Sequence, residues 1–112
     1  MSINRVVITG NVTRDAELCM SQSGTGVLTV PMATNGRRRN AQSGEWEDAP
    51  AYVDVAVAGK RALALADRLR KGTKVAVEGR LRWRQWERDG QKRSKLDVVA
   101  DEVEFLSPPS GD

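Results

Sequence analysis

The amino-acid sequence predicts an all-β fold of five strands with one short helix between the third and the fourth, and three observations carry that expectation. Apolar and β-branched residues recur at a spacing of two through much of residues 4–12, 26–34, 51–58, 73–86 and 92–105. Only residues 60–70 change to helical spacing, with Ala62, Leu65, Ala66 and Leu69 falling on one side. Between the last two extended runs stand Asp89 and Gly90, a dipeptide that favours the tight turn of a β-hairpin.

Taken in order, the first strand, residues 4–12, is rich in valine, isoleucine and threonine and is interrupted by Gly10 and Asn11, as a sharply curved strand would be. A short extended piece at 17–20 continues it, and the serines and glycines of 21–26 form a turn. The second strand places Leu28, Val30 and Met32 on one face; Pro31, which has no N–H to give to a ladder, should sit on an unpaired side or at a bulge. Residues 35–50 have no apolar period and read as a long basic hairpin loop. The third strand alternates Val53, Val55 and Val57 against Tyr52, Asp54, Ala56 and Ala58. Gly59 ends it, the helix follows, and Gly72 is placed to cap that helix.

The order strand, strand, strand, helix, strand, strand, with a long loop after the second strand and a protruding last hairpin, is that of an OB-fold, a five-stranded Greek-key barrel. At 112 residues the chain is the size of one domain, expected over 1–106, with 107–112 as a short disordered tail. Thirty-nine per cent hydrophobic and 29% charged residues suit a folded globular chain. No apolar stretch is long enough for a membrane span and no leader pattern opens the sequence, so the expected location is the cytoplasm. With no histidine and one cysteine, Cys19, the usual zinc sites, histidine-based catalytic triads and an internal disulfide are excluded. Cys19 itself reads as a small buried or half-buried apolar residue. The acidic groups at Glu45, Glu47 and Asp48 and at Asp101, Glu102 and Glu104 have no metal-specific spacing, and the glycines at 24 and 26 lack the pattern of a phosphate loop. Neither a cofactor nor a catalytic centre is expected.

The charge distribution says more than the net +3. Residues 80–95 hold seven basic side chains against Glu87 and Asp89, a local excess of five that leaves the rest of the chain at −2. Because alternate residues of a strand share a face, Arg80, Arg82, Arg84 and Trp86 line up on one side and Leu81, Trp83 and Gln85 on the other. Three cations beside an indole suit a single nucleic-acid strand: guanidinium groups follow the phosphates, and an aromatic face stacks any base. The bland alternative is a solvated, aggregation-guarded ribbon. Tyr52 is a second stacking candidate or else a half-buried tyrosine with a wet hydroxyl. Two roles are open to Trp46, a base platform or a plug for the loop. Arg37, Arg38 and Arg39 beside it extend the phosphate track or merely solvate the loop. Trp83 is expected to pack, within the hairpin or against another subunit.

These residues fall in a recognisable pattern: NRVVITGNVTRD at 4–15, GEW at 44–46, GK at 59–60, KG at 71–72, VAVEGRLRWRQW at 75–86 and VVADEVEFL at 98–106. Together they span nearly the whole chain in order, and they resemble the bacterial single-stranded DNA-binding protein family. The resemblance implies an OB-fold, usually a homotetramer, that coats and protects single-stranded DNA with little sequence preference during replication, recombination and repair, in the cytoplasm and with the nucleoid. It also implies base stacking by Tyr52 and Trp86 and a DNA path along Arg5, Arg80, Arg82 and Arg84.

Three departures accompany the resemblance. Ala58 stands where the family usually has a bulky aromatic, and Arg38 where some members have another, so a stacking site is missing. Binding per barrel is then expected to be weaker, partly offset by Trp46 and the arginine loop. Pro31 occupies a normal strand position. Family members also end in a disordered linker and an acidic tip that recruits repair and replication proteins; the sequence stops at Asp112 before any such tip, so recruitment through it is not carried over. The alternatives are a different OB-fold nucleic-acid binder, a mainly structural, protein-recruiting barrel of another class, and a metal-dependent nuclease.

Overall fold

The computed structural model describes residues 2–107. Among them are the strands β1 (Val6–Val12), β2 (Glu17–Met20), β3 (Gly26–Thr34), β4 (Arg37–Arg39), β5 (Trp46–Asp48), β6 (Tyr52–Ala58), β7 (Lys74–Arg88) and β8 (Gln91–Ser107), with helix α1 (Lys60–Leu65) between β6 and β7. The five expected strands are β1, β3, β6, β7 and β8. Of the expected tail, Ser107 closes β8 and the remainder lies outside the described residues.

Strand pairing closes a barrel. β1 pairs antiparallel with β7 through Val6 to Asn11 and with β3 through Gly10 to Val12. β3 pairs antiparallel with β6, β6 runs parallel to β8, and β8 returns antiparallel to β7. The circuit β1, β3, β6, β8, β7 therefore leaves no open end, as an OB-fold requires. Gly10 carries the switch because it is paired on both sides, with Val75 of β7 and Thr34 of β3. A Cβ at this position would collide with the carbonyl of Ala33, so the curve demands glycine. Two bulges bend the long β7–β8 hairpin, near Lys74 and at Glu78 and Gly79, and its tip turns through Asp89 and Gly90, both at positive φ.

The core follows the predicted faces. Leu28, Val30 and Met32 from β3, Val55 and Val57 from β6, Val75 and Val77 from β7 and Val98 from β8 are buried together, with Val12, Ala62 and Leu69 closing the ends. Pro31 keeps its pairing with Asp54. Its carbonyl accepts the N–H of Thr13 on the opposite side, between the stretches where β3 pairs with β2 and with β1. The missing N–H thus faces the one gap in β3's ladder, and the local pairing survives.

Three expectations are corrected. The helix stops at Leu65 rather than running to residue 70. Past it the chain turns irregularly, the N–H groups of Arg68 and Leu69 both reaching the Leu65 carbonyl at 3.0 and 3.1 Å, and Leu69 is drawn into the core with its carbonyl accepting the N–H of Ala16. Gly72, at φ 93°, gives its N–H to Val12 and turns the chain into β7 instead of capping the helix. Cys19 is exposed, on the outlying β2, all four of whose residues face solvent. The loop at 35–50 is ordered by a small two-stranded sheet, β4 with β5. Among the described residues no helix is long and apolar enough to cross a membrane.

The bulge at Gly79 gives a test of the closure. A Cβ there would strike the Val99 carbonyl, so Gly79→Ala forces the two backbones apart at the point where the barrel meets the hairpin. Chemical denaturation of this variant should show a loss of about 1–3 kcal/mol with the denaturant dependence unchanged.

Candidate nucleic-acid interface

The alternation that buries Val75, Val77 and Gly79 turns Arg80, Arg82, Arg84 and Trp86 to the outer side of the barrel. Opposite them in the β7–β8 register stand Val99, Asp97, Lys95 and Arg93. On β6, the residues that alternate with the core valines, namely Tyr52, Asp54, Ala56 and Ala58, share this outer side. Three neighbouring strands thus form one continuous surface that carries the cations Arg80, Arg82, Arg84, Arg93 and Lys95 and the aromatics Tyr52 and Trp86.

Aromatic exposure separates the candidates. Tyr52 is 76% exposed, so it is not the half-buried alternative, and Trp86 is 39% exposed with the Arg84 guanidinium 5.4 Å from its ring centroid. Trp46, 63% exposed, is no plug: it stands on β5 opposite Arg39, in the separate β4–β5 hairpin. That hairpin is held by its own polar groups. Asn40 accepts the N–H groups of Gln42 and Ser43, Arg39 donates from Nε to the Gly44 carbonyl at 3.2 Å, and Arg38 pairs with Glu47 at 2.8 Å. Arg37 lies 4.0 Å from Asp48. Trp83 does not pack within the hairpin; with Leu81 and its cross-strand neighbour Leu96 it remains largely exposed on the opposite face from Trp86.

The arginines differ in their surroundings. Among the described residues Arg80 is exposed and forms no ion pair. Arg82 and Arg84 both lean on Asp97, which is only 2% exposed: Arg82 donates from Nε at 3.1 Å and from Nη2 at 2.9 Å, and Arg84 Nε lies 3.0 Å away. Lys95 is held by Asp54. Arg5 stands further along, tied to Glu78 and to Asp101, so two carboxylates surround its charge. Just before it, the Asn4 side chain bonds both the N–H and the carbonyl of Leu81, extending the β1–β7 ladder by a side chain. Asp101 and Glu102, grouped as a possible cation site by sequence, are engaged instead by Arg5 and Arg61.

Asp97 was not among the residues singled out from sequence, although a signal existed. With Asp89 and Gly90 as a two-residue turn, counting outward pairs residue 82 with residue 97, an acid opposite an arginine inside an apolar run. Burial alone would raise the carboxyl of Asp97. The hydrogen bonds and charge of Arg82, followed by the charge and bond of Arg84, outweigh that and hold it below its ordinary value.

A closed OB-fold barrel whose outer sheet joins a row of cations to exposed aromatics is the class these features define. A model of the single-strand binding protein family matches residues 3–106. A single-stranded DNA-binding protein of Borreliella burgdorferi is 40% identical over 96% of this chain and 72% of its own length. One from Helicobacter hepaticus is 40% identical over 97% of this chain and 65% of its own, so the chain spans roughly two thirds of such relatives. Among solved structures, the Plasmodium falciparum SSB in complex with ssDNA superposes with a TM-score of 0.81 at 25% identity, covering 96% of this chain and 97% of that one. The chain belongs to the single-strand binding protein family.

The buried carboxylate of Asp97, held by two half-exposed arginines, makes stability depend on acidity in one direction. Because the carboxyl of Asp97 titrates lower in the folded chain than its free value of 3.8, its contribution is complete above that value and is lost as pH falls through the lower folded one. Unfolding free energies of the parent chain and Asp97→Asn, compared from about pH 6 down to about pH 2, should therefore converge as the solution becomes more acidic. A gap that stays constant over the range contradicts this ionisation.

Proposed function

We propose that the chain binds single-stranded DNA with little sequence preference, coating and protecting it in replication, recombination and repair, and that it does no chemistry on the strand. The observation that carries this reading is the shared outer surface of β6, β8 and β7. Arg80, Arg82, Arg84 and Lys95 lie there at strand spacing, with the exposed rings of Tyr52 and Trp86 beside them toward the hairpin end of the row. Phosphate neutralisation supplies affinity without regard to sequence, and stacking on an aromatic ring is available to every base. Family membership supports the same reading, as does the likeness to a barrel solved with ssDNA.

Within this proposal Tyr52 and Trp86 are the stacking residues and Arg80 is the phosphate contact least encumbered by acids. Arg82 and Arg84 contact phosphate through the N–H groups that Asp97 leaves free. Trp46 with Arg37, Arg38 and Arg39 forms an outlying contact on the β4–β5 hairpin. Arg5, flanked by Glu78 and Asp101, stands at the end of the path and contributes least. The functional unit is the barrel over 1–106, assembled as a homotetramer, in the cytoplasm and with the nucleoid.

Titration of the intrinsic tryptophans with oligo-dT at several salt concentrations tests the reading. Fluorescence should be quenched, and log K should fall against log salt with a slope of roughly −0.7 per phosphate neutralised. An unquenched signal insensitive to salt contradicts it. In the same assay Trp86→Ala should weaken binding by about 1–3 kcal/mol, roughly five- to a hundredfold. Ala58→Phe, which adds a ring to an exposed position on the same outer face, should tighten it; unchanged affinity means the small residue at 58 costs the groove nothing.

A further inference from the structure

A carboxylate is the wrong sign for a phosphate track, yet Asp97 sits in the middle of one. It is buried, it shares the outer face with Arg80, Arg82 and Arg84, and it receives both Arg82, through two bonds at 3.1 and 2.9 Å, and Arg84, at 3.0 Å. The next cation on that face, Lys95, is held by Asp54, whose strand neighbours Asp97 across the β6–β8 pairing. Three cations and two carboxylates therefore present one net positive charge where the basic residues alone count three.

The stability that ionised Asp97 contributes is not a full account of this arrangement. Taking its carboxylate out of water costs much of what its attraction to the half-exposed arginines returns, and an apolar residue suits the same row, as Val99 two positions on demonstrates. The geometry fits a binding role better. A guanidinium on a bare ribbon must be ordered when a strand arrives, whereas one already anchored through Nε has lost that freedom beforehand and keeps its remaining N–H groups for the ligand. The same anchor cancels charge, and a face with less net charge releases fewer counterions on binding.

We propose that Asp97 is a positioning residue of the strand-binding face: it fixes Arg82 and Arg84 as a pair and cancels one of their two charges, so that the pair neutralises one phosphate rather than two. This rests on the DNA-binding reading above. Its consequence is a protein whose grip on DNA declines less steeply with salt than its arginine count implies.

The test compares the salt dependence of oligo-dT affinity for the parent chain, Asp97→Asn and the charge-retaining Asp97→Glu, each first confirmed as folded by circular dichroism. The asparagine variant should bind more tightly at low salt, with a slope of log K against log salt steeper by about 0.7, while the glutamate variant keeps the parent's slope. Parallel lines for the parent and Asp97→Asn overturn the proposal. A parent line that shows no salt dependence overturns the DNA-binding reading instead. If Asp97→Asn does not fold, the triple variant D97N/R82Q/R84Q removes the cluster without leaving a buried charge unpaired. Its slope should be shallower than the parent's by about 0.7; a loss of about 1.4 means that both arginines neutralise phosphate and the proposal is wrong.

Discussion

A strand that pairs with one neighbour along its first half and with another along its second cannot stay flat. β1 meets that condition at Gly10, where the backbone approaches Ala33 too closely for any side chain, and the rest of the barrel depends on the bend. Once β1 joins β7 to β3, the parallel pairing of β6 with β8 completes the ring, and the valines, leucines and methionine of the alternate positions have one enclosed space to fill. Everything of the opposite parity is turned outward. The cations and aromatics of β6, β7 and β8 are gathered on one surface because the closure leaves them no other place.

That surface is neither uniformly basic nor loosely built. Arg80 projects without an acid, Arg82 and Arg84 are fastened to a buried carboxylate, and Lys95 is fastened to the half-buried Asp54. Charge is thereby metered along the row, and the guanidinium groups are ordered in advance. Both aromatics stand toward its hairpin end, Tyr52 at the start of β6, level with Lys95, and Trp86 further towards the tip. Such a surface recognises what recurs in every single strand, a phosphate and an unstacked base, and has little with which to read a sequence.

Most of the barrel was legible in the sequence because its signals are local. Period-two valines gave away the core faces of β3 and β6, and Asp89 with Gly90 gave the hairpin. What was missed depends on distant partners. Leu69 fits a helical pattern, yet the helix ends before it, and it is held in the core with its carbonyl bonded to the Ala16 N–H, a contact across more than fifty residues. Cys19 looked apolar enough to bury, but β2 lies outside the closed ring and has nothing to cover it. The β4–β5 pair sets three arginines against a tryptophan and two acids, too short and too charged to show a period. At the candidate site the face of Arg80, Arg82, Arg84 and Trp86 followed directly from alternation, whereas the restraint on the two central arginines required the register and so was overlooked.

The central claim is that the strand lies on the outer face that holds Trp86, not on the face that holds Trp83. Two single-tryptophan proteins separate these, one keeping only Trp86 and the other only Trp83, with phenylalanine at the remaining tryptophan positions. Titrated with oligo-dT, the Trp86 protein should be strongly quenched and the Trp83 protein little changed. Quenching of Trp83 with Trp86 unaffected would place the strand on the other side of the hairpin and contradict the account.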